Sequence, residues 1–198
     1  MISHPSKKFQ GGQYMPNLIP CQFIYPRYNR GLKFRNPFIC KHMRIEYRIA
    51  AMLVRKRKTL SVAESCSGGL LADTLTDISG SSIFFRLGIV AYDNAAKIKL
   101  LKIPAKTLAS NGAVSAAIAR LMAQNVRKIL KTDLGVGITG IAGPSGGTKT
   151  KPVGLTYVAV SDGKTTHTKE FRFKGTREAN KVSATYAGLR LLLNLLDK

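Results

Sequence analysis

The sequence predicts an α/β protein, specifically a three-layer α/β/α sandwich with a mixed, mostly parallel sheet and one antiparallel hairpin. Short apolar or β-branched runs alternate along the chain with segments whose apolar residues recur at helical spacing. Asp162-Gly163 separates two strand-like runs, at 153–161 and 167–174, and this dipeptide is typical of a tight β-hairpin. The length of 198 residues and the hydrophobic content of 44% are sufficient for one globular core.

The first 42 residues differ in composition from the rest of the chain. They contain five prolines and several basic residues, and their apolar side chains follow neither the helical nor the strand period. We therefore predict a basic, flexible extension at 1–42 and one folded domain at 43–198. Two other interpretations of the extension remain open. It could be a transit peptide, although its serines are few and no amphipathic helix is evident, or Met43 could be the true start.

The elements of the folded domain are predicted from periodicity and from capping or breaking residues. Residues 43–55 have one apolar helical face and end in the basic run 55–58, which suits the C-terminus of a helix. A β-branched run predicts a strand at 59–63, and apolar spacing predicts a helix at 70–78. The apolar residues of 88–92 predict a buried strand.

The second half of the domain continues the alternation of helices and strands. Asp93 or Asn94 can cap a short helix at 95–101, and Ser115 can cap a longer helix that ends near Leu130. The remaining predicted elements are a helical turn after Pro104, a strand at 134–139, the two hairpin strands, and a last helix from Arg177 with Ala184, Ala187, Leu191 and Leu195 on its apolar face.

Ser65 is predicted to lie in the turn between the strand at 59–63 and the helix that begins at Leu70. The free N–H groups and the positive dipole end of that helix would then point toward the serine hydroxyl. Such a turn exposes a nucleophile and supplies donors for a developing oxyanion. The simpler alternative is that Ser65 and Ser67 only cap the helix.

Lys97 lies in the first turn of the short helix predicted at 95–101. A cation at a helix N-terminus is unfavourable by a few tenths of a kcal/mol, because the N–H groups there carry positive partial charge. This position therefore suggests a role other than helix stability. The alternative is that Lys97 points to solvent, as Lys99 and Lys102 are expected to do.

Residues 140–147 contain four glycines: Gly140, Gly143, Gly146 and Gly147. Such a loop allows the backbone to approach a ligand closely and presents N–H groups to an anion. The segment matches neither the dinucleotide fingerprint GxGxxG nor the P-loop GxxxxGK[ST]. A plain flexible loop explains the glycines equally well.

The chain is strongly basic, with 32 Lys and Arg against 10 Asp and Glu and a net charge of +22. This charge attracts anions in general, including nucleic acid, phosphorylated small molecules and acidic lipid. Because no patterned basic helix or aromatic-interleaved strand is present, we expect a phosphorylated small molecule and no nucleic-acid partner. No apolar run approaches the ~18 residues that would cross a bilayer, so we expect no membrane partner.

The cysteines and histidines predict neither a metal centre nor a catalytic triad. Cys21, Cys40 and Cys66 match no zinc spacing or disulfide framework, and the three histidines are far apart in the chain. We therefore expect no metal, no cofactor and a reducing compartment, the cytoplasm. Self-association as a homo-oligomer remains open.

Four stretches, taken in order, resemble the C-terminal domain of the CinA family, the nicotinamide-mononucleotide amidases. They are AESCSGGLLADTLTDISGSS at 63–82, GIVAYDNAAKIKLL at 88–101, NGAVS at 111–115 and GITGIAGPSGGTKTKPVG at 137–154. The resemblance covers about residues 45–198. It implies a serine amidase that needs no cofactor. Such an enzyme converts nicotinamide mononucleotide to nicotinic acid mononucleotide plus ammonia and so recycles pyridine nucleotides.

The resemblance also implies roles for individual residues. It makes Ser65 the nucleophile and Lys97 the catalytic lysine, with Tyr92 beside it, and Thr139 and Arg177 match positions that line the ligand pocket. From the residues themselves we also expect the backbone at Gly140, Gly143 and Gly146 to help bind the substrate phosphate. The N–H groups of Cys66 and Ser67, in the turn after Ser65, would hold the oxyanion. Chemistry agrees with the assignment of Lys97, because a desolvated lysine beside other cations can be neutral enough to act as a base.

The chain departs from the family pattern at three positions. Ala95 and Ala116 stand where the family usually has acidic residues, and Lys181 stands where a second arginine is common. Loss of an acid near Lys97 would lower the pKa of this lysine. Two alternatives to the amidase stay open. The first is a catalytically idle module that binds a pyridine nucleotide or a protein, as the family's older competence and DNA-damage associations suggest. The second, based on net charge alone, is a basic accessory protein that binds nucleic acid.

Overall fold

The computed structural model describes residues 44–198, which form a five-stranded mixed sheet between two layers of helices. The predicted extension at 1–42 lies outside the described residues. The helices are α1 (Ile45–Arg55), α2 (Leu70–Thr76), α3 (Asn94–Lys99), α4 (Ala105–Asn111), α5 (Ala116–Ile129) and α6 (Arg177–Leu196). The strands are β1 (Leu60–Glu64), β2 (Phe85–Val90), β3 (Leu134–Gly140), β4 (Leu155–Ser161) and β5 (Thr166–Arg172).

The order of strands in the sheet is β2-β1-β3-β4-β5. β1 pairs in parallel with β2 and β3, whereas β4 is antiparallel to both β3 and β5. The predicted mixed sheet, mostly parallel with one antiparallel hairpin, is confirmed. The carboxyl ends of β1, β2 and β3 therefore lie at the same edge of the sheet, where ligand sites of α/β proteins commonly form.

Two separate apolar cores hold the helices on the two faces of the sheet. α1, α2 and α6 pack on one face, around buried residues such as Leu53, Leu71 and Leu192. α3, α4 and α5 pack on the other face, around Leu101 and Ile118. This arrangement is the predicted three-layer sandwich. No helix within residues 44–198 is long and apolar enough to cross a membrane.

α5 packs directly against the backbone of β3, because two glycines of the strand face it. A Cβ atom at Gly135 would lie 2.1 Å from the carbonyl oxygen of Ala123, and one at Gly137 would lie 2.4 Å from that of Ala119. These distances are far shorter than any van der Waals contact. Only glycine therefore permits this spacing of helix and strand.

Two predicted helix caps are confirmed. The carboxylate of Asp93 accepts a hydrogen bond of 2.6 Å from the N–H of Ala95 at the start of α3. The hydroxyl of Ser115 accepts one of 3.3 Å from the N–H of Ile118 at the start of α5. Both caps depend only on neighbouring residues, so local sequence was sufficient to predict them.

One packing prediction is wrong and another is incomplete. The strand predicted at 88–92 as buried is β2, an edge strand in which half-buried and exposed residues alternate. On α6 the four predicted residues do pack on the core, with Leu191 and Leu195 half-buried, but the buried face is wider and includes Leu189 and Leu192, which are fully buried. The physical reason is that α6 packs against α1 as well as against the sheet, which turns and widens its buried face.

Candidate active site

Ser65 directly follows β1 at the carboxyl edge of the sheet and begins a tight turn into α2. Its N–H donates a hydrogen bond of 3.0 Å to the carbonyl of Ile138 in β3, and its own carbonyl accepts one of 3.1 Å from Gly68. Gly68 and Gly69 have φ of 67° and 96°, in the left-handed region that favours glycine. The two glycines therefore reverse the chain. Ser65 is buried, with 8% of its surface exposed.

The buried carboxylate of Glu64 caps α2. It accepts hydrogen bonds from the N–H groups of Gly69 at 3.1 Å, Leu71 at 3.0 Å and Ala72 at 2.8 Å. The prediction that the first N–H groups of this helix point toward the serine hydroxyl is therefore wrong, because Glu64 occupies them. The alternative that a serine caps this helix is also wrong, since the N-cap residue is Gly69, which has no side chain.

Two other N–H groups of the turn belong to Cys66 and Ser67. They donate to no oxygen of residues 44–198, and both lie near the sulfur of Cys66. The side chain of Cys66 is itself a poor nucleophile, because burial raises the pKa of its thiol to about 11. Cys66 therefore contributes its backbone to the site and not its sulfur.

Lys97 extends from α3 into the interior and reaches Ser65. Its Nζ lies 3.1 Å from Ser65 Oγ, 2.8 Å from the carbonyl oxygen of Ala91 and 3.0 Å from that of Tyr92. Only 1% of its surface is exposed. This burial lowers the pKa of Lys97, and the negative charge of Asp93 opposes the shift without cancelling it. Burial is the cause of the shift, as expected for a desolvated lysine, whereas the neighbouring cations that were also expected do not contribute.

The three oxygen contacts of Lys97 define what its neutral form can do. A neutral amine has two N–H bonds and one lone pair, whereas the ammonium has three N–H donors and no acceptor. The carbonyl oxygens of Ala91 and Tyr92 can only accept, so they take two N–H bonds. In the neutral form the lone pair is therefore left for the hydroxyl of Ser65, which is the geometry of a base facing a nucleophile.

Tyr92 lies at the site, where its backbone and its side chain contact different residues. Its backbone carbonyl contacts Lys97, but its hydroxyl accepts a hydrogen bond of 2.9 Å from Nη2 of Arg177. The ring is largely exposed, at 59%. The hydroxyl therefore lies beside the arginine and not beside the lysine with which the sequence had associated it.

Arg177, the first residue of α6, connects Tyr92 with the glycine loop. Its Nη1 donates a hydrogen bond of 2.6 Å to the carbonyl of Gly143. A guanidinium group has five N–H donors, so these two contacts leave three for a ligand. Lys181 is on the next turn of α6, and its Nζ lies 3.4 Å from the position that a Cβ atom would take on Gly68.

Of the other predicted binding residues, Thr139 and Gly140 pack against neighbouring parts of the protein. Thr139 is buried, and its hydroxyl donates a hydrogen bond of 2.8 Å to the carbonyl of Ala113. A Cβ atom at Gly140 would lie 3.0 Å from Cys66 Sγ, so this glycine packs beneath the serine turn. Gly146 instead borders open space, and the methyl of Ile141 is the nearest atom, 3.8 Å from a Cβ placed there.

Sequence reasoning missed Glu64 and Asn180. The buried amide of Asn180 donates hydrogen bonds of 3.0 Å to the carbonyls of Ala142 and Gly175, and so ties the glycine loop to the start of α6. An asparagine inside a helix is a poor helix former, and this was the one signal in the sequence. The signal for Glu64 was weaker: it is the one charged residue of β1, a strand whose residues are all buried.

The fold and the site together define an α/β sandwich with a buried serine–lysine pair at the carboxyl edge of its parallel strands. The sequence profile of the CinA C-terminal domain matches residues 42–196. The chain therefore belongs to the CinA C-terminal domain family, as its motifs suggested.

Curated relatives include a CinA-like protein of Syntrophus aciditrophicus, 47% identical over 82% of this chain, and one of Syntrophomonas wolfei, 49% identical over 73%. The match spans 39% and 35% of the length of those two relatives.

Solved structures of the superfamily share the fold. A competence-damaged protein (CinA) superfamily protein from Klebsiella pneumoniae is 31% identical with a TM-score of 0.75, and the match covers 77% of this chain and 96% of that one. The competence/damage inducible protein CihA from Agrobacterium tumefaciens is 35% identical with a TM-score of 0.75, covering 78% and 94%.

Proposed function

We propose that this chain is an amidohydrolase that converts nicotinamide mononucleotide to nicotinic acid mononucleotide and ammonia. The observation that carries the proposal is the buried Lys97, whose Nζ lies 3.1 Å from the hydroxyl of Ser65. Burial lowers the pKa of this lysine, so its neutral form is more accessible than that of an exposed lysine. Family membership supports the same reaction.

In the proposed reaction, Ser65 Oγ attacks the carboxamide carbon while Lys97 takes the hydroxyl proton. The N–H groups of Cys66 and Ser67 donate to the oxyanion of the tetrahedral intermediate. Its collapse breaks the carbon–nitrogen bond, and the proton passes from Lys97 to the departing ammonia. Water then attacks the acyl-enzyme with Lys97 again as base, which releases the carboxylic acid and restores the serine.

The phosphate of the mononucleotide would bind at Arg177. Two of its N–H donors contact Gly143 and Tyr92, and three remain for phosphate oxygens. The loop 140–147 offers further N–H groups nearby, and Lys181 adds a second positive charge on the same side of α6. This arrangement favours an anionic substrate over its neutral riboside.

The decisive experiment measures ammonia release from nicotinamide mononucleotide by the full chain. Activity that is lost in Ser65→Ala, with unchanged circular dichroism, is the expected result. Ser79→Ala is the matched control, since Ser79 is an exposed serine with no role in the mechanism. Binding of the mononucleotide without turnover would instead indicate the idle binding module. Neither binding nor turnover would refute both.

A further inference from the structure

The end of the sheet opposite the candidate active site has a concentrated positive charge. Three connections meet there: residues 55–59 between α1 and β1, residues 127–133 at the end of α5, and the hairpin 162–165 between β4 and β5. We call their cations the basic pole. Its members are Arg55, Lys56, Arg57, Lys58, Arg127, Lys128, Lys131 and Lys164.

Direct contacts show that these connections are adjacent in space. The N–H of Leu134 donates a hydrogen bond of 2.9 Å to the carbonyl of Thr59, which joins the first two connections. The guanidinium of Arg127 packs against Gly163 in the hairpin, and the ammonium of Lys56 donates to the carbonyl of Leu196 at the end of α6. A cavity of about 510 Å³ opens between these elements, and Lys56, Lys58 and His167 are among its lining residues.

The acids near the pole do not neutralise it. Asp133 pairs with Lys58 at 2.9 Å, and Asp197 lies 3.9 Å from Arg48. The carboxylate of Asp162 accepts hydrogen bonds from the backbone of its own turn, at 2.9 Å from Lys164 and 2.6 Å from Thr165. Within residues 44–198, Lys58 is thus the only one of the eight cations that forms a salt bridge. Arg55, Arg57, Lys128 and Lys131 are all exposed.

We propose that the basic pole binds the phosphate backbone of a nucleic-acid duplex, without regard to base sequence. A duplex carries a denser line of negative charge than a single strand does. Single strands gain affinity mainly by stacking bases on aromatic side chains. The three connections contain no Phe, Tyr or Trp, and the exposed apolar side chains at the pole, Ile129 and Leu130, are aliphatic. The pole therefore favours a duplex.

This inference revises the expectation of no nucleic-acid partner. That expectation rested on the absence of a basic helix or other local pattern. The cations of the pole come from three stretches that are about 30 to 70 residues apart in the chain, and only the mixed sheet assembles them at one edge. No local sequence pattern could have shown the patch.

The test uses the full chain and a fluorescein-labelled 20-base-pair DNA duplex of mixed sequence. Binding is measured by fluorescence anisotropy between 50 and 200 mM KCl. The variant Arg57→Gln/Lys128→Gln/Lys131→Gln removes three exposed charges of the pole. The matched control, Lys106→Gln/Lys149→Gln/Lys174→Gln, removes three exposed charges elsewhere and leaves the net charge equal.

We expect the pole variant to bind the duplex at least tenfold more weakly at 100 mM salt. The slope of log K against log salt should become smaller by roughly 0.9 for each DNA phosphate that the variant no longer neutralises. The control should change affinity less than threefold, and an unlabelled single strand should compete more weakly than an unlabelled duplex. If the triple variant fails to fold, Arg57→Gln and Lys131→Gln are measured singly.

Three outcomes would overturn the proposal. Equal losses in the pole variant and the control would show that net charge alone governs binding. No binding of the duplex at 50 mM salt would exclude the interaction. Pole-dependent binding to vesicles with 30% phosphatidylserine, combined with duplex binding that is insensitive to the pole variant, would identify a membrane surface instead.

Discussion

The hydroxyl of Tyr92 accepts a hydrogen bond from the guanidinium of Arg177, at 2.9 Å, across the mouth of the candidate site. The backbone carbonyl of the same tyrosine holds Lys97 at 3.0 Å. Tyr92 thus contacts both the proposed base and the proposed phosphate ligand, but through different groups. A side-chain substitution can therefore separate the two contacts.

Tyr92→Phe should leave kcat nearly unchanged and raise KM for nicotinamide mononucleotide about fivefold. The backbone carbonyl on Lys97 remains, whereas Arg177 loses one hydrogen bond, which is worth ~1 kcal/mol. Steady-state kinetics with the mononucleotide and its unphosphorylated riboside would measure this, with KM for the riboside as the internal control. A kcat that falls as far as in Ser65→Ala would instead make the hydroxyl a proton relay.

Lys97→Arg should lose about as much kcat as Ser65→Ala. Arginine keeps the positive charge but cannot lose its proton at working pH, so it cannot act as a base. Single-turnover kinetics of both variants and of the double variant would test this, because residues that act as one unit have non-additive effects. Substantial kcat in Lys97→Arg would limit Lys97 to binding the substrate.

The pH dependence should follow Lys97 in both activity and stability. Activity should rise with pH as the lysine loses its proton, along a limb below its ordinary pKa of 10.5. The unfolded chain binds this proton more tightly than the folded chain, so the contribution of Lys97 to the free energy of unfolding should also rise with pH up to 10.5.

Urea titrations of the wild type and Lys97→Met at several pH values would isolate this contribution. The stability of the wild type relative to the variant should increase from neutral pH toward the ordinary lysine pKa of 10.5. A pH-independent difference would mean that the pKa of Lys97 is the same in the folded and unfolded chains.

Arg177→Ala should raise KM for nicotinamide mononucleotide by at least tenfold more than KM for the riboside. The guanidinium contacts the glycine loop, at 2.6 Å from the carbonyl of Gly143, and charge-assisted hydrogen bonds to phosphate are strong. Arg190→Ala, an exposed arginine further along α6, provides the control. Equal effects on the two substrates would place the phosphate away from Arg177.

Glu64→Gln should destabilise the domain by ~1–3 kcal/mol, because the amide cannot accept all three N–H groups that the carboxylate holds. Asp73→Asn is the matched control, since Asp73 is an exposed carboxylate on the same helix and should matter by less than ~0.5 kcal/mol. Chemical unfolding measures both. Equal losses of stability in the two variants would show that the hydrogen bonds of Glu64 do not stabilise the turn.

Much of the fold could be predicted from the sequence because its signals are local. Asp93 and Ser115 cap helices through residues that are two or three positions away. The order of the strands is not local, which is why β2 was not identified as an edge strand. Ser65 and Lys97 were predicted from motifs, but neither the burial of Lys97 nor the two carbonyls that orient it follow from residue spacing. Glu64 was missed because its partners lie five to eight residues further along, beyond a turn whose shape the sequence does not specify.

The contact between α5 and β3 restricts which amino acids can stand at two positions of β3. Every amino acid except glycine carries a Cβ atom, and at Gly135 or Gly137 that atom would collide with a helix carbonyl that cannot rotate away. In a survey that scores all single substitutions by protein abundance, every replacement at these two positions, alanine included, should lower the abundance. Ser65, scored in the same way, should accept alanine. The survey would thus distinguish residues retained for shape from residues retained for chemistry without any assay of catalysis.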